Sequence, residues 1–123
     1  MQTKNKQIAN DILLNANVIS DFMPLKNIYL YAITATISGS PSGTIKLQAS
    51  ADPETNDTQP DLNALKPTNF VDIADSSFAI SSAGSTMWNV RDVAYNYVRV
   101  VYIDASGGTS SATMNVIFNG KGV

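Results

Sequence analysis

The sequence predicts an all-β protein, a single-domain antiparallel two-sheet β-sandwich of jelly-roll-like form with about eight strands. Three observations point there. The run Tyr95-Asn96-Tyr97-Val98-Arg99-Val100-Val101-Tyr102-Ile103-Asp104 is the longest stretch of β-branched and aromatic residues. Such side chains are stiff at χ1 and pack well on a pleated surface, so it reads as a central strand, closed by the turn Asp104-Ala105-Ser106-Gly107-Gly108. Further short apolar runs precede and follow it at the spacing of a small all-β domain, separated by glycine, serine and asparagine. Finally, 123 residues make about one domain with a core of its own.

In chain order, Met1 to about Gln7 is polar and reads as a loose arm unless a partner orders it. The apolar positions from Ile8 to Leu25 fit neither a clean period of two nor a helix, leaving a short helical turn or an edge strand as alternatives. Residues 1–25 are therefore assigned to an N-terminal arm and lead-in segment, and 26–123 to the sandwich. From Asn27 to Ser38, Ile28, Leu30, Ala32, Thr34 and Thr36 alternate with Tyr29, Tyr31, Ile33, Ala35 and Ile37. Both faces are largely apolar, as in a strand covered on one side by a second sheet and on the other by a neighbour or a partner chain. Gly39-Ser40-Pro41-Ser42-Gly43 turns the chain into Thr44–Ala51, with Ile45, Leu47, Ala49 and Ala51 facing in. This pair carries the strongest hairpin signal. Residues 52–69 are irregular, too long for a mere turn, and predict a functional or packed loop. Short strands follow at 70–73, 78–80 and 86–90, and the last at 112–119 sets Met114, Val116 and Phe118 on one face.

Composition narrows the function. The net charge is −2 and the eight Lys and Arg are scattered, which leaves no basic stripe for nucleic acid. Cysteine and histidine are both absent, removing disulfides, thiolate metal sites, the commonest general base and every Ser-His or Cys-His nucleophile pair. Asn10, Asp11, Asn15 and Asn17 interrupt any apolar signal-peptide region, so no Sec-type export is expected. No run approaches the ~20 apolar residues of a membrane helix, and no membrane partner is expected.

Each candidate site has an ordinary structural reading beside it. Asp52, Glu54, Asn56 and Asp57 offer oxygen ligands for calcium, but the spacing matches no EF-hand and a solvated turn is preferred. The sequon Asn56-Asp57-Thr58 is discounted without an export signal. Trp88, with Tyr29, Tyr31, Tyr95, Tyr97 and Tyr102, would suit a sugar platform, yet these aromatics fall on strands. Trp88, Tyr97 and Tyr102 are therefore placed in the core, and Arg99 with them. Arg99, inside an apolar strand, calls for a partner, and an internal ion pair with Asp92 or Asp72 is preferred over a ligand anchor. Asp72, Asp75, Asp92 and Asp104 show no spacing that selects a catalytic pair. Gly120-Lys121-Gly122 lacks the helix that would follow a phosphate loop. The expectation is no cofactor, no metal and no enzymatic activity.

The segments Gly43–Pro53, Pro67–Ile73, Ala83–Val90, Tyr97–Tyr102 and Asn119–Gly122 together resemble a family of small β-sandwich proteins from tailed-phage virions. The order of strand, S-x-D-P, loop, F/W-x-D-I, S-A-G-S, W-N-V and Y-V-R-V is also similar to the discoidin or galactose-binding-like jelly roll. Phe70 departs conservatively from the tryptophan of related sequences, and residues before Gly43 lie outside the match. The resemblance implies a virion component of the capsid-decoration, head-fibre or tail-accessory kind, made in the bacterial cytoplasm, with no catalytic residues to carry over. Its partners would be other virion proteins and copies of itself. Ile8, Ile12, Leu13, Tyr29 and Tyr31 are assigned to the interface, in keeping with a rigid module that packs on a shell. The alternative is a carbohydrate-binding module recognising a host-surface glycan, with a hydrolase as a remote third.

Overall fold

A computed structural model describes residues 2–53 and 67–122. The described residues form ten strands and no helix: β1 (Gln2–Leu13), β2 (Val18–Ile19), β3 (Met23–Pro24), β4 (Ile28–Ser38), β5 (Gly43–Ser50), β6 (Val71–Asp72), β7 (Phe78–Ile80), β8 (Gly84–Arg91), β9 (Tyr97–Asp104) and β10 (Thr113–Gly122). Two antiparallel sheets face each other. Sheet A has the order β1-β10-β4-β8; in sheet B, β9 and β5 lie side by side, with β2 and β3 on the β9 edge and β6 and β7 on the β5 edge. The all-β sandwich predicted from the sequence is therefore observed, with ten strands among the described residues rather than about eight, because residues 2–24 contribute three, β1 and the two-residue β2 and β3.

Period-two burial builds the core. On β4, Tyr31, Ile33, Ala35 and Ile37 point inward, and on β10 Met114, Val116 and Phe118 are fully buried beside them. They meet Ile45 and Leu47 of β5 and Val98, Val100 and Tyr102 of β9 from the opposite sheet. Each fully buried aliphatic side chain of this kind stabilises the fold by about 1.5–3 kcal/mol relative to exposure. Tyr31 stacks on Phe118 with ring centroids 5.4 Å apart. The central-strand reading of residues 95–104 is met by β9, which has neighbours on both sides.

Two sequence expectations are corrected here. Residues 2–7, read as a loose arm, are the first half of β1, which pairs with β10 from Gln2↔Gly122 to Leu13↔Thr113; its second half meets the edge-strand alternative for the segment from Ile8. Its period is broken by register shifts between Gln7 and Ala9 and between Ala9 and Ile12, where Asp11 takes a left-handed φ of 47°. Asn115 pins this bulge, its Oδ1 accepting from Gln7 Nε2 at 3.0 Å and from the Asp11 amide at 2.9 Å. The second correction concerns the hairpin. β4 pairs with β10 and β8 while β5 pairs with β9, β6 and β7, so residues 39–42 arch from one sheet to the other. A tight Gly-Ser-Pro turn reverses the chain in either case; the apolar inner faces of both strands require them to oppose each other across the core. At the end of β5 the inward alternation also stops early, with Ser50 buried and Ala51 exposed.

Candidate binding surfaces

The outer face of sheet B carries a polar chain across three strands. Gln48 lies directly opposite Arg99 on β9 and opposite Asp72 on β6, which puts all three side chains on one face. Arg99 Nε and Nη2 donate to Gln48 Oε1 at 3.0 and 2.8 Å, Gln48 Nε2 donates to Asp72 Oδ1 at 2.9 Å, and Lys46 Nζ donates to Asp72 Oδ2 at 2.9 Å. Phe70 covers the guanidinium, its ring centroid 3.8 Å from Arg99 Cζ. The Lys46 hydrogen bond, aided by Gln48, holds the Asp72 carboxyl below its usual range. Arg99 is thus half-buried on this outer face rather than in the core, and its predicted ion pair with an aspartate is replaced: an amide stands between, and the ion pair is Lys46–Asp72. Asp92 sits past the end of β8, in the other sheet, with a left-handed φ of 57°.

The predicted interface residues separate. Ile8 and Tyr31 are core, Ile12 is half-buried against it, and only Leu13 and Tyr29 are exposed. Tyr29 and Tyr31 would share a face in a regular strand, but a register shift where Leu30 and Ile28 meet Lys121 and Gly122 sends them to different environments. Trp88, Tyr97 and Tyr102 are all buried. The Trp88 indole N–H donates to the Ser76 carbonyl at 2.7 Å, and the Tyr102 hydroxyl donates to the Ser42 carbonyl at 3.0 Å.

Of the four residues offered to calcium only Asp52 is described, and its carboxylate is occupied by N–H donors. Both Asp52 carboxylate oxygens accept hydrogen bonds, Oδ2 from the Thr68 and Asn69 amides at 2.7 and 3.0 Å and Oδ1 from Asn69 Nδ2 at 3.1 Å. Those bonds, led by the Asn69 amide, hold its carboxyl below the usual range and staple the two ends of segment 53–67. Glu54, Asn56 and Asp57, and with them the sequon, lie outside the described residues. Among the described residues no group of three Asp or Glu gathers to hold a metal, and no helix is long and apolar enough to cross a membrane.

Sequence reasoning missed the outer face of sheet A. Gln7, Ile117, Thr34 and Met87 are directly opposed in successive strands, so they form one row across the sheet. Met87 and Ile117 are 61 % and 51 % exposed, bracketing the small Thr34. The next row, Asn5, Asn119, Ala32 and Asn89, is uncharged, and Lys121 and Arg91 flank Leu30 only at the far end. The alternation in β4 announced a second apolar face for a neighbour or a partner chain, but not the exposed Met87 and Ile117, which β8 and β10 bring beside it.

At one end of the sandwich the 25–29 and 93–96 segments enclose a cleft of about 300 Å³. Tyr29, Lys26, Asn27, Tyr95 and Asn96 line it. The Tyr95 and Tyr31 hydroxyls share a hydrogen bond of 2.6 Å, and burial pushes both up from the ordinary tyrosine range.

No family model matches the chain, and no curated protein matches it in sequence. The fold is shared with several solved structures. The SPBc2 prophage-derived protein YomS superposes with a TM-score of 0.52 at 14 % identity, over 98 % of this chain and 95 % of that one. A protein of the Bacillus endospore appendages, described as disulfide-linked pili, gives 0.52 at 9 % identity, over 99 % and 88 %. The CBM36-1 domain of a multidomain xylanase from the hindgut metagenome of Trinervitermes trinervoides gives 0.50 at 8 % identity, over 99 % of both. At these identities the likeness is one of fold.

Proposed function

We propose that this chain is a non-enzymatic structural protein of a tailed-phage virion, of the capsid-decoration, head-fibre or tail-accessory kind, acting by protein–protein binding through the outer face of sheet A. The observation that carries this reading is the row Gln7–Ile117–Thr34–Met87, where two large apolar side chains stand exposed in an uncharged row, with charged residues only toward the ends of the face. Such a core with a polar rim of asparagines suits a protein contact. The shared fold with a prophage-derived protein is compatible with it. The test is cosedimentation with intact virions or shells, comparing the wild type with Met87→Lys/Ile117→Lys. Both positions face solvent, so thermal stability stays nearly unchanged while shell binding falls at least about tenfold. Equal binding by the double variant overturns the reading.

The glycan-binding alternative rests on a different observation, the end cleft with an exposed Tyr29 beside Asn27, Asn96 and Lys26. Aromatic rings with neighbouring amides are the usual partners of sugars. Trp88 is buried and would not report binding, so the informative measurement is glycan-array binding of the wild type against Tyr29→Ala. Binding that Tyr29→Ala abolishes favours the module.

A further inference from the structure

Of the four sheet edges, three are protected. On β1, Lys4 and Lys6 stand opposite Gly120 and Phe118, on the inward-facing side, and two bulges bend the strand. The Ile8 carbonyl is already taken by the Asp21 amide, between β2 and β3, at 3.0 Å. Inward charges and bulges are the devices by which sheets reject an added strand. In sheet B the edges are broken into pieces, β2 and β3 on one side and β6 and β7 on the other, none longer than three residues. β8 has no such protection. It runs unbroken for eight pairs against β4, contains no proline, lysine or acid, and carries a single charge, Arg91, at its end. Among the described residues its outward backbone groups have no backbone partner. Beside it a groove of about 280 Å³ runs past Ile73, Phe78, Met87 and Val90, with Phe78 and Met87 exposed.

We propose that β8 pairs antiparallel with β8 of a second copy, joining two A sheets into one eight-stranded sheet about a two-fold axis near Met87 and Trp88. A self-complementary contact needs the same patch from both partners, and β8 is the one long unguarded edge among the described strands. Charge placement agrees. Antiparallel self-pairing sends the two Arg91 side chains to opposite ends, each beside the Gly84-Ser85 start of its partner, so no like charges meet. Pairing β8 with β1 of another copy would instead set Lys4 and Lys6 beside the added strand. The proposal specifies the self-association expected from the sequence and does not depend on the virion partner.

The experiment is the solution mass of the full chain by light scattering, with distances between nitroxides on single-cysteine variants, which a cysteine-free chain makes unambiguous. The wild type is a dimer. Labels at Met87→Cys lie close together, and labels at Ile117→Cys, two strands inward in each copy, lie roughly 20 Å farther apart, four spacings of ~4.8 Å. Thr86→Lys copies onto β8 the inward lysine of β1 and raises the dimer dissociation constant at least about tenfold. If Thr86→Lys fails to fold, the two label distances decide alone. A monomeric wild type overturns the proposal, as does a dimer in which the Ile117 labels are the closer pair. Shell binding by a monomer would retain the proposed function while discarding the β8 pairing.

Discussion

Replacing Trp88 with phenylalanine removes one buried hydrogen bond together with part of a buried ring. The ring keeps most of its apolar contacts, including Phe78 at 5.9 Å, but the Ser76 carbonyl loses the indole N–H that reaches it at 2.7 Å. Ser76 is itself buried, and its hydroxyl accepts from the Leu47 amide at 3.1 Å and donates to the Ile73 carbonyl at 2.7 Å. A buried acceptor left without a donor costs about 1–3 kcal/mol. Trp88→Phe therefore lowers the urea midpoint by at least that equivalent, read by far-UV circular dichroism; an unchanged midpoint would show the bond to be energetically idle. At this scale Trp88 was legible, because a lone tryptophan in an apolar run is a core residue. Arg99 was legible only as a residue in need of a partner. Its partner is an amide, which a search for carboxylates passes over, and the register that brings Gln48 opposite it is a property of strand pairing.

Strand identity was easier to read than strand partnership. The alternation in β5, β9 and β10 follows from burial of one face and is written in the residues. Which sheet a strand joins is not, since the same turn serves a hairpin and an arch, as the β4–β5 connection shows. The edge-strand alternative for the segment from Ile8 is met by the second half of β1, while residues 2–7 escaped recognition because the bulges break the period and the inward lysines make an edge strand look like a tail. The exposed face of sheet A arises only when β1, β10, β4 and β8 are set side by side, so the candidate surface was less legible than the core. The closing turn of β10 offers a test at this scale. A Cβ on Gly122 would meet the Asn27 carbonyl oxygen, with the carbonyl carbon at 2.6 Å, where Asn27 holds a left-handed φ of 64° and the β10–β4 register shifts. Backbone cannot yield as a side-chain tip does. Gly122→Ala is expected to cost about 1–3 kcal/mol in chemical denaturation, and hydrogen exchange should quicken at Ile28 and Lys121 before the middle of β4.

Over the whole molecule, three carboxylates fasten the periphery to the sandwich. Asp52 joins the ends of segment 53–67, Asp72 ties β6 to β5, and Asp104 organises the turn toward β10 through the Ser106 hydroxyl and amide at 2.7 and 3.0 Å. The Ser106 hydrogen bonds, side chain first, hold the Asp104 carboxyl low, and Asp52 and Asp72 are lowered likewise by their donors. A group whose folded pKa lies below its unfolded value takes up its proton more readily when unfolded. Its contribution is therefore fully present above the unfolded value, ~3.9 for aspartate, and is lost as pH falls through the folded value. With no histidine in the chain, nothing of that kind titrates between pH 5 and 8. The urea midpoint should accordingly be flat from pH 8 to about 5 and decline below about pH 4. Asp104→Asn supplies the control. It keeps one acceptor oxygen but loses the charge, so its midpoint should lie below that of the wild type at pH 7 and approach it at pH 2.5. A gap that persists undiminished at pH 2.5 would mean that Asp104 acts by shape alone, and that the charge on this turn contributes nothing to holding β9 and β10 in their separate sheets.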